Sequence, residues 1–272
     1  MPKISACVLA YNEEDKIEEA LRSVSWADEI VVADSFSADR TVEIARRLGA
    51  RVEQIPFDGF GKLRNEAVAR CAHEWILSLD ADERCTPEAR DEILATIARP
   101  DAADAYLVPR RNFFLGRWIR HSGWYPDYRQ PQLFRKGRLR YLEDPVHERY
   151  EVEGRLGRLE SAILQFPFRD LAQSVDKWHR YSTLGAQRLE KRGVRGSFGA
   201  GLRHGLWAFL RIYVLRRGFL DGWAGFAIAF GYFEQTFYKY AKLAERQGGW
   251  DRRPPSPGAL TREPPPGPGE GR

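Results

Sequence analysis

The feature that most constrains this chain is an apolar segment, residues 75–79, that ends in two carboxylates, Asp80 and Asp82. The segment has the length and composition of a buried β-strand. Side chains alternate across a strand, so Asp80 and Asp82 would point to the same side if the extended conformation continued. Such a pair can bind a divalent cation, and that cation can neutralise a diphosphate. The pair also fits a solvated acidic turn, so the surrounding sequence must decide.

The residues around this segment alternate between strand and helix patterns. Strands are predicted at residues 4–10, 29–33, 51–55, 75–79 and 105–108. Helices are predicted over about residues 12–24, 42–48 and 63–71, and from residue 86. The alternation predicts an α/β fold of the doubly wound kind, with a mostly parallel sheet and helices on both faces.

Polar residues follow three of the predicted strands. The carboxyl ends of parallel strands meet at one edge of a sheet, and ligands bind there. Three groups of residues should therefore converge on one crevice, namely Tyr11, Asn12 and Glu13; Asp34 and Ser35; and Asp80 and Asp82. This convergence favours a ligand site over a solvated turn.

Several stretches of the chain match motifs of a known enzyme family. In the first half they are residues 8–13, 34–41, 62–65 and 79–83. On these motifs the chain resembles family 2 glycosyltransferases with the GT-A fold. It is most similar to bacterial enzymes that add a sugar to the lipopolysaccharide inner core, on the basis of residues 80–83, 145–148 and 217–222. The resemblance implies a nucleotide-sugar donor, linked to UDP or ADP, and Mg²⁺ or Mn²⁺ as cofactor.

The resemblance also implies which residues contact the donor. The donor-binding residues would be Ala10, Tyr11, Asn12, Glu13, Asp34, Ser35, Arg64, Asp80 and Ala81. Asp80 would contact the ribose and the metal shell, and Asp82 would bind the metal directly. Asp34 would lie against the uracil and ribose, and Arg64 would bind the base or the diphosphate. Asp34 also fits a helix cap and Arg64 a surface cation.

The sequence departs from the family pattern after the second strand. Ser35 stands where many members have a second aspartate that reads the base, and Phe36 replaces a glycine. Base selectivity and loop shape are therefore left open. By resemblance, Asn65 would brace the segment that carries Arg64.

Transfer with inversion needs a base that removes a proton from the acceptor hydroxyl. Residues 141–148 contain three carboxylates and a histidine. By resemblance, this stretch follows the acceptor-binding strands and returns toward the metal. Glu148 is the first choice for the base and Asp144 the second, and His147 is a metal ligand or an orienting partner. A polar hairpin with exposed charges is the alternative.

Charge is concentrated between residues 110 and 140, which contain nine Lys or Arg residues against one acid, Asp127, with seven aromatic residues among them. Aromatic rings stack on sugars and arginines bind phosphates, so an acceptor surface for an anionic glycolipid is predicted. A solvated basic face is the alternative. No nucleic acid is expected as a partner, because no recognition fold accompanies the charge.

The C-terminal third is helical in pattern and strongly basic. Residues 177–217 contain ten Lys or Arg residues and one acid, Glu190, beside short apolar runs. These apolar runs are shorter than the roughly 20 uncharged residues of a membrane-spanning helix. The helices should therefore lie in the surface of an anionic membrane. The alternative is packing against the core or another subunit of a homo-oligomer. Residues 249–272, with seven of the sixteen prolines, should form a disordered tail.

Three cysteines without a Cys-x-x-Cys pair predict neither a disulfide framework nor a zinc site, and no signal peptide is recognised. The expected location is the cytoplasm, peripherally on the inner face of the membrane. The expected organisation is a GT-A domain over residues 1–165, with its acceptor region at about 110–165, then helices over 166–248 and the tail. The expected function is an inverting, metal-dependent glycosyltransferase acting on a lipopolysaccharide core or similar glycolipid. The alternatives are a polyprenyl-phosphate glycosyltransferase and a membrane-surface binding protein without catalysis.

Overall fold

The computed structural model of the 272-residue chain describes residues 2–142 and 149–248. Its strands are β1 Ile4–Ala10, β2 Glu29–Asp34, β3 Arg51–Gln54, β4 Trp75–Asp80, β5 Glu83–Arg84, β6 Ala105–Leu107, β7 Arg110–Phe114, β8 Arg117–Trp118, β9 Pro131–Arg135, β10 Leu139–Leu142, β11 Arg149–Val152, β12 Leu156–Arg158 and β13 Ile163–Gln165. Its α-helices are α1 Ile17–Ser23, α2 Thr41–Arg47, α3 Phe60–Arg70, α4 Pro87–Ile97, α5 Leu171–Lys191, α6 Phe198–Leu210 and α7 Trp223–Arg246. A π-helical turn, Arg211–Leu215, and a 3-10 helix, Gly218–Asp221, connect α6 to α7.

The central sheet has seven strands in the order β12-β6-β9-β4-β1-β2-β3. Strand β1 pairs in parallel with β2 and β4, and β2 pairs in parallel with β3. Only β9 is antiparallel to its neighbours, β4 and β6. A smaller sheet, β5-β13-β7-β8, and the hairpin β10-β11 lie beside it. The predicted α/β class, with a mostly parallel sheet and a C-terminal helical region, is confirmed.

Helices cover both faces of the central sheet, which explains why its inner strands β1, β2 and β4 are mostly apolar. Ile17 of α1, Ile44 of α2 and Ile93 of α4 pack on one face. Leu63 of α3 packs on the other, where Phe134 of β9 also lies. The core therefore has two layers, one on each face of the sheet.

Glu29, at the start of β2, connects neighbouring segments of the sheet. Its carboxylate accepts hydrogen bonds from Ser5 Oγ (2.6 Å) and the Ala72 N–H (2.7 Å), and it pairs with Arg51 Nη2 (2.8 Å). Burial alone would raise the pKa of Glu29, but these donors lower it to about 2. The carboxylate therefore stays ionised and tied to its partners at neutral pH.

The C-terminal helices form a unit in which α7 packs against both α5 and α6. Trp178 of α5 lies against Gly231 of α7, where a Cβ would find no room. A cluster that includes Phe114, Trp178 and Ile228 joins the helices to the β7-β8 strands. In the described part of the chain, no helix has the length and apolar character needed to cross a membrane.

Some local predictions differ from the structure. The helix predicted from Asn12 begins only at Ile17, because Asn12 adopts a left-handed conformation (φ +54°) in a loop. Strand β4 ends at Asp80, and Asp82 lies in the turn before β5. The extended conformation therefore does not continue from Asp80 to Asp82, which was the condition for both carboxylates to point to the same side. The predicted tail, residues 249–272, lies outside the described residues.

Candidate active site

The carboxyl ends of β1, β2 and β4 lie side by side at one edge of the sheet. Ala10 is paired with Asp34, and Leu9 is paired with Asp80. The Ala81 N–H extends the ladder by donating to the Leu9 carbonyl (2.9 Å). The structure thus brings together the strand ends that the sequence predicted to converge. The roles of these residues in binding stay predictions.

The loop after β1 is fixed to the loop after β2. Asn12 donates its N–H to Ser37 Oγ (2.9 Å), and Glu13 donates its N–H to Thr41 Oγ1 (2.9 Å). Tyr11, on the same loop, is 60% exposed. The two loops form one braced surface, on which the Tyr11 ring is open to a planar ligand.

Asp34 is fully buried at the end of β2 and orders its own loop. Its carboxylate accepts hydrogen bonds from the Ser37 N–H (3.0 Å) and hydroxyl. Helix α2 begins at Thr41, whose N–H donates to Asp39 instead (3.0 Å). The helix-cap alternative for Asp34 is therefore wrong, because Asp39 makes the bond to the first turn of the helix.

The two departures from the family pattern lie next to Asp34. Phe36 adopts a left-handed conformation (φ +61°), a region that glycine enters without strain. The loop therefore keeps a glycine-like backbone although a phenylalanine occupies the position. Ser35 is buried, and its hydroxyl has no hydrogen-bond partner among the described residues. That hydroxyl is a polar group able to bind a ligand at the strand end.

Arg64 lies beneath Asp80. Its side chain is 2% exposed, and its Nη2 donates to Asp80 Oδ1 (2.8 Å) while Nη1 contacts Ser78 Oγ (3.3 Å). The surface-cation alternative for Arg64 is therefore wrong. Next to it, Asn65 donates to the Tyr141 carbonyl (2.7 Å) and accepts from the Tyr141 N–H (2.9 Å). Asn65 thus connects α3 to β10.

A buried network that sequence reasoning missed holds Asp80 from the other side. Glu83 is fully buried and accepts hydrogen bonds from the Asp80 N–H (2.9 Å) and Gln132 Nε2 (2.8 Å), and it pairs with Arg110. Burial raises the pKa of Glu83 to about 7, although Arg110 opposes the rise. The only signal in the sequence was the position of Glu83 in the matching motif, residues 80–83.

Asp82 is half-buried, and its carbonyl accepts the N–H of Phe166 (2.8 Å). Burial and the neighbouring Asp80 raise the pKa of Asp82, while Lys16 and Lys177 lower it. Lys177 lies on α5, so the C-terminal helices contribute a cation to this site. Burial lowers the pKa of Lys177, and Asp82 opposes that effect. Nothing in the local sequence around Lys177 predicted this placement.

The chemistry of Asp80 and Asp82 fits a divalent cation. Two close carboxylates repel each other, and a bound cation would relieve that repulsion. Mg²⁺ commonly uses one or two carboxylates together with waters and substrate phosphates. In residues 2–142 and 149–248, no group of three or more His, Cys, Asp or Glu side chains is placed to hold a metal. The predicted residues Asp144, His147 and Glu148 lie outside the described residues.

The family of the chain follows from its sequence. The model of a family described as "Glycosyl transferase family 2" matches residues 5–153, more than half of the chain. The chain belongs to glycosyl transferase family 2. The matched residues include the three strand ends, Arg64 and the 80–83 motif, so the site lies within the family 2 glycosyltransferase region.

Two proteins named as glycosyltransferases match about nine-tenths of the chain. An uncharacterized glycosyltransferase of Rickettsia felis is 31% identical over 261 residues, which cover 90% of each chain. The lipopolysaccharide core biosynthesis glycosyltransferase LpsC of Rhizobium meliloti is 28% identical over 259 residues, which cover 90% of this chain and 94% of LpsC. The predicted similarity to family 2 glycosyltransferases, including a lipopolysaccharide core enzyme, is confirmed.

Among solved structures, the chain is similar to glucosyl-3-phosphoglycerate synthase from Mycobacterium tuberculosis in complex with Mn²⁺ and UDP-glucose. The identity is 25% and the TM-score 0.37, over 40% of this chain and 44% of that one. The chain thus matches less than half the length of that structure.

Proposed function

We propose that this family 2 glycosyltransferase transfers a sugar, with inversion, from a nucleotide-sugar donor to a lipopolysaccharide core or related glycolipid. One observation carries the proposal: Ala10, Asp34 and Asp80 lie side by side at the carboxyl edge of the sheet, with Asp82 in the following turn. Ligands of parallel α/β sheets bind at this edge. The similarity to LpsC over nine-tenths of the chain supports the acceptor class.

The donor would lie across the braced loops after β1 and β2. The exposed Tyr11 ring offers a stacking surface for the base, and the free Ser35 hydroxyl offers a hydrogen bond. Asp34 would face the ribose of a UDP- or ADP-linked sugar. Arg64, which pairs with Asp80, would hold that carboxylate toward the ribose and diphosphate.

Asp82 and Asp80 would hold Mg²⁺ or Mn²⁺, with His147 as a further ligand. The cation would supply positive charge against the diphosphate leaving group. Lys16 and Lys177, whose charges act on Asp82, would add to that field. Glu148, or Asp144 as second choice, would take the proton from the acceptor hydroxyl.

The acceptor would bind along residues 110–165. Two arginines, Arg111 and Arg120, lie 5.1 and 4.4 Å from the Trp118 ring centre, and Tyr125 lies edge-on to the same ring at 5.5 Å. Both arginines are exposed. A surface that presents aromatic faces beside guanidinium groups suits a phosphorylated oligosaccharide.

The test is transfer of labelled sugar to purified lipopolysaccharide core, with UDP- and ADP-linked donors screened in parallel. Asp82→Asn should abolish turnover and metal-dependent donor binding, because it removes charge and a ligand from a hard-cation site. The thermal unfolding curve should show that the variant is folded. Asp91→Asn, at an exposed position of α4, is the matched control and should keep normal activity. Normal rates for Asp82→Asn would refute the metal assignment.

A second pair of variants separates this proposal from transfer to polyprenyl phosphate, where a phosphate oxygen attacks and no base is needed. Glu148→Gln should lower kcat by about 10²-fold or more, with donor affinity little changed. Loss of activity in Asp144→Asn alone would reassign the base. Full activity in both variants would favour the polyprenyl-phosphate reaction. Donor binding without turnover on any acceptor would instead favour a non-catalytic binding protein.

A further inference from the structure

The C-terminal helices expose an apolar stripe. On α6, the exposed apolar side chains recur every four residues at Phe198, Leu202, Leu206 and Leu210. This spacing places them on one side of the helix. Each is about half exposed, although α6 packs against α7 through the neighbouring side that carries Gly201 and Gly205. The packing against α7 therefore leaves part of each side chain in the stripe exposed in the described residues.

Helix α7 extends this stripe with aromatic rings. Phe226 and Phe230 are exposed and stack at 6.1 Å, and Phe209 of α6 contacts Phe226 at 5.8 Å. The connection between the helices adds further exposed apolar side chains. We call the whole surface the docking face; it consists of Phe198, Leu202, Leu206, Leu210, Leu215, Phe219, Leu220, Trp223, Phe226 and Phe230.

The segment that carries most of the docking face, residues 191–220, has charged residues of one sign only. From Lys191 to Leu220 the chain contains seven cations and no Asp or Glu. The seven are Lys191, Arg192, Arg195, Arg203, Arg211, Arg216 and Arg217. Arg203 lines an open groove together with Leu202 and Leu206, so cationic and apolar side chains share one surface. An occupant of this face must be apolar in its interior and anionic at its boundary.

We propose that the docking face binds the surface of an anionic lipid bilayer, with the aromatic and leucine side chains inserted among the acyl chains and the arginines on lipid phosphates. This arrangement is typical of helices that lie in a membrane interface without crossing it. Guanidinium groups suit phosphate because they donate in a planar fork. The proposal concerns where the protein binds and is independent of the donor and acceptor.

A second copy of the chain fits this face less well. A two-fold contact would bring the same surface of each copy together. Cations on this face, such as Arg203, would then lie near their counterparts in the other copy, without acids from residues 191–220 to offset them. Like charges across an interface oppose association. The charge pattern therefore favours a lipid surface over a homodimer.

The docking face is fixed to the acceptor side of the molecule by Asp221. This carboxylate is 3% exposed and accepts hydrogen bonds from the N–H groups of Arg120 (3.1 Å) and His121 (3.1 Å) and from Ser122 Oγ (2.9 Å). The Arg216 carbonyl also accepts the Ser122 N–H (2.9 Å). The loop after β8 and the apolar connection between α6 and α7 are thus held together. A bilayer bound on the docking face would lie beside the proposed acceptor region.

The experiment is co-sedimentation of the full chain with phosphatidylcholine vesicles, with and without phosphatidylglycerol. The wild type should bind the anionic vesicles and be released in part by salt, which screens the arginines. Replacing Arg203, Arg211 and Arg217 together by Gln should weaken this binding by about 10²-fold, since each cation near the surface contributes about 1 kcal/mol. Arg216 stays unchanged because its side chain packs against Gly123.

The control replaces Arg46, Arg90 and Arg99 by Gln, which removes the same charge from surface positions outside the docking face. It should bind the vesicles almost as the wild type does. Equal losses in both triple variants would refute a local basic surface. Equal binding to neutral and anionic vesicles, or binding to neither, would also overturn the proposal.

The apolar part is tested by Leu206→Gln combined with Leu210→Gln. Both side chains are exposed, so the fold should be kept, and the salt-resistant bound fraction should disappear. A wild-type dimer in sedimentation velocity that this double variant dissociates would assign the face to a second copy and overturn the proposal. Donor hydrolysis in solution is measured on every variant and should be unchanged. Failure of the docking proposal is thereby distinct from failure of the proposed catalysis.

Discussion

Replacing Arg110 by Met should destabilise the protein through the buried network under Asp80. Arg110 is 3% exposed and Glu83 is fully buried, so the substitution leaves a carboxylate inside the protein without its cation. At pH 8, above the Glu83 pKa of about 7, the wild-type pair is ionised, and breaking a buried pair in this way costs about 3–5 kcal/mol. Total stabilities are about 5–15 kcal/mol, so the loss should be large but measurable. Urea unfolding gives the free energy, and an unchanged m-value would show that the folded state is retained.

A double-mutant cycle isolates the pair from the loss of packing. Glu83→Gln removes the charge but keeps oxygen for the Asp80 N–H. In the double variant with Arg110→Met, no buried charge of this pair remains, so its destabilisation should be at least about 2 kcal/mol less than the sum of the two single losses. Simple additivity, or a loss below about 1 kcal/mol in Arg110→Met, would refute the reasoning.

The loss of unfolding free energy caused by Arg110→Met should change with pH in a defined direction. Glu83 has a pKa of about 7 in the folded protein, against an ordinary value of 4.5. Because folding raises this pKa, the favourable contribution of Glu83 to the unfolding free energy is complete below about pH 4.5. That contribution is lost as the pH rises through 7. Without Arg110 the folded pKa rises further, so the deficit of Arg110→Met should be about 1 kcal/mol larger at pH 8 than at pH 6. A deficit that shrinks over this range would contradict the account.

Two further predictions concern Glu29 and Lys177. The folded pKa of Glu29, about 2, lies below its ordinary value, so its stabilisation is present above about pH 4.5 and lost as the pH falls toward 2. Glu29→Gln should therefore lower the unfolding free energy by about 1–2 kcal/mol at pH 7 and much less at pH 3, whereas the exposed control Glu43→Gln should change it by less than about 0.5 kcal/mol. Lys177→Met removes a cation that acts on Asp82 and should lower kcat/KM for donor hydrolysis about tenfold. Lys191→Met, on the same helix, is the control and should leave kcat/KM unchanged. Equal effects of the two substitutions would contradict a specific role for Lys177.

The sequence predicted the parts of the fold that depend on local patterns. The strands β1, β2 and β4 were visible because both faces of the sheet are covered, so most of their residues are apolar. Their convergence followed from the parallel topology alone. The cap of α4 was equally local, since Thr86 accepts the N–H of Ala89 (3.1 Å) within one turn.

The parts that the sequence did not predict depend on contacts between distant residues. Glu83 and Arg110 are 27 positions apart, and Asp221 contacts His121 across 100 positions. Lys177 influences Asp82 only because α5 packs back against the sheet domain. Such pairs leave no periodic signal, because each partner is an ordinary charged residue in its own segment. Tertiary packing alone determines that they meet.

The contacts of Asp221 also bear on the distance between a bound membrane and the candidate active site. Because this buried carboxylate ties the docking face to the loop after β8, the two cannot slide past each other without losing several hydrogen bonds. A bilayer held on the docking face would then lie at one distance from the edge of the sheet where β1, β2 and β4 end. Sugars closer to or farther from the lipid than that distance would be out of reach. If the acceptor is the proposed glycolipid, the enzyme would select the acceptor sugar partly by its distance from the lipid.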